Sequence, residues 1–404
     1  MRYTFLLAFI LSLAGCSDVA SPVAPTLPTP GAPPAESGQC AFQAESITVA
    51  TTWVDTSSAC DYEVTGTLNV SNGQLTIEPG VVVRFGQDAS IWFQDGGSLY
   101  AVGTPQQRIT FEGASAVRGF GKGLYFRSGS YESRIEYADL RYLGKLGEVV
   151  ISERLQNGAI SGFLGGELTL KNTTVMGSNH FGAELDRRSL ILKEFANNRF
   201  YDNGDAGVVV SPESVGKLDA ASDYLGGAQP NAVPYILVFN QDDDLSGTVL
   251  WPYVGVPYGV QYLYLEGGEH VVQPGVEFVF GEEGNFDLDY GTLTAIGTPQ
   301  QPIIFRGLQA TPGWWEDIYL DGSAARFEHV EVRHGGFNDL YSDRSITVND
   351  SSFQIDNSVV ADGSGAGIVC IFGGDVVVGA GTRFENLADV PYGIADSCKS
   401  FVAP

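Results

Sequence analysis

Ala196-Asn197-Asn198-Arg199-Phe200-Tyr201-Asp202-Asn203-Gly204-Asp205-Ala206-Gly207-Val208-Val209-Val210 is the stretch that decides the fold. A short apolar-polar strand runs into a turn of Asn, Asp and Gly, and a second short strand follows. Gly accepts positive φ in such a turn, and Asn and Asp bond nearby backbone groups or ladder with their counterparts. Residues 170–185 have the same layout, with Gly182 and Gly207 standing 25 residues apart, and residues 354–369 repeat it. Short strands, sharp turns and a period in the twenties predict a solenoid coil. One coil alone cannot bury its apolar face. Stacked coils can, because each strand pairs in parallel with the strand above it at about 4.8 Å, and inward Val, Ile, Leu and Phe close a narrow core. Helical periodicity is scarce, with 184–198 the most ambiguous segment.

The chain also repeats itself at long range. Ala101-Val-Gly-Thr-Pro-Gln-Gln-Arg-Ile-Thr-Phe111 matches Ala295-Ile-Gly-Thr-Pro-Gln-Gln-Pro-Ile-Ile-Phe305. Pro79-Gly80-Val81 and Phe85-Gly86 match Pro274-Gly275-Val276 and Phe280-Gly281, and 134–142 matches 326–334. The offset stays near 194 residues, a register that chance does not hold, so the body reads as two tandem copies, 40–231 and 232–404. At about 23–25 residues per coil it makes roughly 14 coils. A single continuous stack is favoured over two separate rods, since bare solenoid ends are costly.

The pattern at 197–210 resembles the coils of right-handed parallel β-helix proteins of the pectate-lyase-like superfamily. The run from Leu75 to Phe85, then Gly97-Ser-Leu-Tyr-Ala-Val-Gly-Thr-Pro105 and Ile109-Thr-Phe111, resembles a recurring element of bacterial cell-surface β-helix proteins. The resemblance covers nearly the whole body. It implies an all-β solenoid and leaves function open, because that fold hosts lyases, hydrolases, adhesins and passive spacers.

The N-terminus predicts export. Arg2 precedes an apolar run from Phe5 to Leu13, far short of the about 20 residues that span a bilayer, so 1–15 reads as a secretory signal. It ends in Leu13-Ala14-Gly15-Cys16, which resembles the bacterial lipobox. That resemblance makes Cys16 the lipidated mature N-terminus, held in the bilayer by its acyl chains. Ser17 after it implies the outer membrane. Residues 16–39, with six prolines between Pro22 and Pro34, form an extended tether. The expected place is the bacterial cell envelope, at the outer membrane or cell surface.

A net charge of −26 argues against nucleic acid as a partner, since phosphates require Lys and Arg. Four cysteines remain after Cys16. In an exported chain the pairing Cys40–Cys60 and Cys370–Cys398 closes the shortest loops of the three connectivities and pins each end of the body.

No catalytic constellation is legible. The histidines have no elbow or zinc spacing around them. His329 and His334 correspond to Tyr137 and Tyr142 in the first copy, which indicates a place for a flat side chain rather than a ligand. Asp287 and Asp289 fall on one outward strand face, with Leu288 inward and no basic motif beside them. They and the loop carboxylates Asp242 and Asp244 are the weak metal candidates. No cofactor is expected beyond Ca²⁺ at such oxygen-rich segments. Trp314 and Trp315, one inward and one exposed, are candidate sugar-stacking residues, as are Trp251 and Tyr253, with Tyr258, Tyr262 and Tyr264 nearby. The expected function is a non-catalytic, lipid-anchored envelope protein that binds a glycan or another envelope protein or serves in envelope assembly. The alternative is a polysaccharide lyase or hydrolase.

Overall fold

A computed structural model describes residues 40–404, apart from 43–44, 128–129, 146–149, 152–153, 156–157, 163–165, 186–190, 240–246 and 338–342. The signal and tether, with Cys16, lie outside the described residues. The body is an all-β parallel β-helix of about 13 turns. Its one described α-helix, Pro212–Val215, is a single turn.

Each turn of the coil passes through three sheets, here called leading, middle and trailing. In the first half the leading sheet holds Tyr62–Val64, Val82–Phe85, Ile109–Gly113 and Ala138–Arg141. The middle sheet holds Thr67–Val70, Ser90–Phe93, Gly123–Phe126, Gly158–Gly162, Phe181–Leu185 and Val208–Val210. The trailing sheet holds Gln74–Ile77, Ser98–Val102, Ser133–Glu136 and Glu167–Lys171. Neighbouring strands pair in parallel, as in Val83 with Phe111 and Ile91 with Leu124. An antiparallel hairpin, Val150–Ile151 with Arg154–Leu155, departs from this scheme.

Strand alternation puts the apolar residues inside. In Ile303–Gly307 the first, third and fifth residues are buried, and in Ser352–Asp356 the second and fourth are. One core cluster runs from Ile47 to Val378 without a break between the halves. Within it Phe278, Phe305 and Phe327 stack from coil to coil at 4.9 and 5.7 Å. Corners are closed by an asparagine ladder. The Asn203 amide donates to Asn231 Oδ1 at 2.9 Å, and Asn203 Oδ1 accepts from Ser178 N, so buried backbone at the bend is satisfied.

The long repeat around Gly103 and Gly297 has a structural cause. Thr104 and Gln107 exchange two backbone hydrogen bonds across a tight turn, and Thr298 and Gln301 do the same. A Cβ on Gly103 would meet the Tyr137 carbonyl oxygen at 2.5 Å, and one on Gly297 would meet that of His329 at 2.6 Å. Only glycine lets the next coil approach so closely. The two cystines form as the spacing predicts, Cys40 with Cys60 and Cys370 with Cys398.

The repeated segments do not stay in line. The middle sheet of the first half continues through Ile236–Val238 into 258–260, 277–280 and Ile303–Gly307. By the internal repeat, 277–280 and Ile303–Gly307 correspond to Val82–Phe85 and Ile109–Gly113, which belong to the leading sheet. The stack is continuous, but at the junction the middle column of the first half becomes the leading column of the second. The middle sheet of the second half, 262–266, 285–289, Ile318–Asp321 and Arg344–Asn349, therefore does not continue the column of its counterpart.

Candidate functional site

The outward face of that second-half middle sheet gathers polar chemistry in two rows. Inward Leu265, Leu288, Leu320 and Val348 fix the register, so the residues between them must point out. Tyr264, Asp287, Tyr319 and Thr347 pair in succession to make one row, of which the first three are partly exposed and Thr347 is buried. Glu266, Asp289, Asp321 and Asn349 make the next. Neighbouring rungs stand about 4.8 Å apart, so side chains from sequence positions about 30 apart become contacts.

Hydrogen bonds bind the rows together. The Tyr264 hydroxyl donates to Asp289 at 2.8 Å, and the Asn285 amide donates to Asp287 at 3.0 Å. Asn349 donates to Asp321 at 2.9 Å and to the Tyr319 hydroxyl at 3.1 Å. Thr347 donates to the buried Asp317 carboxylate, and Arg344 Nε lies 3.8 Å from the same group.

So many carboxylates in one place perturb one another. Burial, then Asp317, Asp289 and Glu316, push the Asp287 carboxyl up to about 8, so it holds its proton at neutral pH. Burial, then Asp289 and Asp350, also raise Asp321. The hydrogen bond to Asp289 is the main cause that raises the Tyr264 phenol.

Aromatic rings flank the rows. At the corner where the middle sheet turns to the trailing one, Tyr290 and Phe372 adopt left-handed backbone and are 71% and 66% exposed. The Tyr290 ring lies over Gly322, where a Cβ would meet it at 2.7 Å. Tyr262 is exposed on the other side. Large rings left in solvent beside hydrogen-bonding groups mark an interaction surface.

Several expectations need correction. Asp287 and Asp289 do point outward, but they are half-buried in this network rather than solvated. A basic side chain does reach the cluster, because Arg344 arrives from two coils further on. Trp251 and Trp315 are wholly buried and present no ring to a ligand. Trp251 packs edge-on against Phe278 at 5.1 Å, and Trp315 stacks on Phe280 at 4.2 Å while donating to the Arg333 carbonyl. Trp314 is half-buried, with its indole N–H on the Phe280 carbonyl, and Tyr253 is exposed on a turn. Tyr258 belongs to the core, whereas Tyr262 and Tyr264 belong to the outward face. Asp242 and Asp244 lie outside the described residues. His329 and His334 occupy left-handed corners, as do Tyr137 and Tyr142. Among the described residues no group of three or more His, Cys, Asp or Glu side chains is arranged to hold a metal ion.

No family model matches the chain, and no curated protein matches it. Among solved structures, the mannuronan C-5 epimerase AlgE4 A-module of Azotobacter vinelandii is similar at 12% identity. The match has a TM-score of 0.22 and covers 84% of this chain and 91% of that one. At that overlap neither its activity nor its residues transfer.

Proposed function

We propose that the chain is a lipid-anchored cell-envelope protein whose β-helix binds an uncharged glycan along the middle sheet of its second half. The observation that carries this reading is the double row of Tyr264, Asp287 and Tyr319 beside Glu266, Asp289, Asp321 and Asn349, with Tyr290 and Phe372 at its corner. Carboxylates accept hydrogen bonds from sugar hydroxyls, and exposed rings stack on the apolar faces of pyranoses. A polyuronate would bring further negative charge to a face already crowded with it, so an uncharged chain fits better. Attachment through Cys16 rests on the lipobox resemblance, and the two cystines accord with an oxidising, exported location. Binding of the full chain to a panel of uncharged and uronate oligosaccharides tests the reading. Selective binding of an uncharged oligosaccharide, weakened at least tenfold by Tyr290→Ala, supports it. Preference for uronates sinks it.

A second reading, glycan hydrolysis or elimination, is favoured by one feature. Asp287 is protonated at neutral pH beside other carboxylates, the division of labour that acid–base catalysis uses. Product release by the wild type, abolished in Asp287→Asn with binding intact, would make this the better account.

A further inference from the structure

The middle sheet of the first half carries a second outward face with different chemistry. Asn69, Trp92, Tyr125 and Ser161 pair in succession along it, with Asn69 and Trp92 partly exposed and Tyr125 and Ser161 buried. Gln94 and Arg127 follow one residue beyond the paired Phe93 and Phe126, where a side ladder connects them. Arg127 Nη1 donates to Gln94 Oε1 at 2.9 Å, and Gln94 leans toward the Asn69 amide at 3.5 Å. The Arg127 guanidinium carbon lies over the Trp92 indole, 4.7 Å from its centroid, and the indole N–H donates to the Ser90 hydroxyl at 2.9 Å. Asn69, Trp92, Gln94 and Arg127 are all half-buried, so each is fixed yet still reaches solvent. Beside them the Tyr125 hydroxyl is buried without a hydrogen-bond partner, an uncompensated donor in a polar row.

The corner of this face repeats a device of the other. Tyr131 is 69% exposed, and its ring lies 3.4 Å from where a Cβ on Gly96 would stand. Tyr290 likewise sits against Gly322 in the second half. In both places an exposed tyrosine packs on a corner glycine of a neighbouring coil, next to a row of hydrogen-bonding groups. The groups differ in charge: one face is rich in carboxyl groups, the other carries amides and a guanidinium. A hydroxylated pyranose both donates and accepts, so it satisfies either.

The junction decides what the pair can do. Because the column of Val210 and Val238 continues into the leading strands of the second half, the two faces lie on different strand columns of the continuous stack. A straight glycan strand running along one face cannot continue onto the other.

We propose that the face of Asn69, Gln94, Arg127 and Tyr131 is a second glycan-binding site, and that the chain is a bivalent protein that bridges two uncharged glycan strands. This rests on the reading of the second-half face as a glycan site. Two sites on one rigid body give avidity toward a surface of many strands without any new contact.

The test is titration calorimetry of the full chain with cellohexaose and with its N-acetylated amino-sugar counterpart, together with bridging of beads coated with the same sugars. Two sugars bind per chain. Gln94→Ala with Arg127→Ala halves the stoichiometry and abolishes bridging, while the remaining site keeps its affinity within twofold. Tyr290→Ala with Asp289→Asn does the same from the other side. A wild-type stoichiometry of one, unchanged by the Gln94 and Arg127 substitutions, overturns bivalency and leaves the second-half site standing. Failure of both sugars to bind overturns both. Circular dichroism of each variant separates loss of a site from loss of the fold.

Discussion

Val210, in the middle sheet of the first half, pairs in register with Val238, which heads the column that becomes the leading sheet of the second. Both side chains are buried in the same core cluster. The two halves thus share backbone hydrogen bonds and apolar contacts at the junction, as coils within either half do. Solenoid stability is close to a sum of coil and nearest-neighbour terms, so a well-made junction couples the halves.

Trp251 stands at this junction, fully buried against Tyr258 and Phe278. Trp251→Ala is expected to lower stability by about 3–5 kcal/mol through the cavity it leaves. Denaturant unfolding followed by circular dichroism checks this. Sugar affinity should stay unchanged under native conditions, because the ring meets no solvent.

Gly103→Ala should destabilise the chain by about 1–3 kcal/mol, since the new methyl group must displace the Tyr137 carbonyl of the next coil. Gly297→Ala should cost a similar amount against His329. Equal losses in thermal denaturation would confirm that this repeated motif is a device of coil packing. A loss of sugar binding with stability intact would assign it a functional role instead.

Asp287 gives a pH dependence with a definite sign. Its folded value of about 8 lies above the ordinary 3.8, so between those values the folded chain binds more protons than the unfolded one. Its contribution to stability is full below about pH 3.8 and is lost as pH rises through about 8. Asp287→Asn removes the titration. The melting temperature of the variant minus that of the wild type should grow across this window and level off above it. A difference independent of pH would mean that the carboxyl is ionised throughout.

The Cys370–Cys398 bridge ties the strand Ala366–Ile371 to the last coil. Replacing both cysteines with alanine should cost about 2–4 kcal/mol, concentrated at that end. Hydrogen exchange should accelerate in Arg383–Glu385, Tyr392–Ile394 and Ser400–Val402 and stay unchanged in Val82–Phe85 and Ile109–Gly113. Uniform acceleration would show that the end does not fray alone.

The coil was legible in the sequence because its causes are local. The Asn-Gly turn at 203–204 and the alternation in 208–210 each report one bend or one strand, and the cystine pairing follows from proximity along the chain. The outward site was only half legible. Asp287 and Asp289 can be read as a pair from their spacing, but Asp317, Tyr319 and Arg344 join them only through parallel register about 30–57 positions on, which a local pattern does not carry. The tryptophans misled for a related reason. Trp251 ends a strand and Trp315 lies three residues before Ile318–Asp321, and each packs its ring on a core phenylalanine. The change of column at Val210 and Val238 leaves no mark in the repeat itself, because it is made by pairing between the copies rather than within either one.

The measurement that bears most directly on the central claim is hydroxyl-radical footprinting of the full chain with and without an uncharged oligosaccharide such as cellohexaose. Tyr262, Tyr290 and Phe372, rings open to solvent on the second-half face, should lose labelling when sugar is added. Unchanged labelling of all three under conditions where sugar is bound would contradict it.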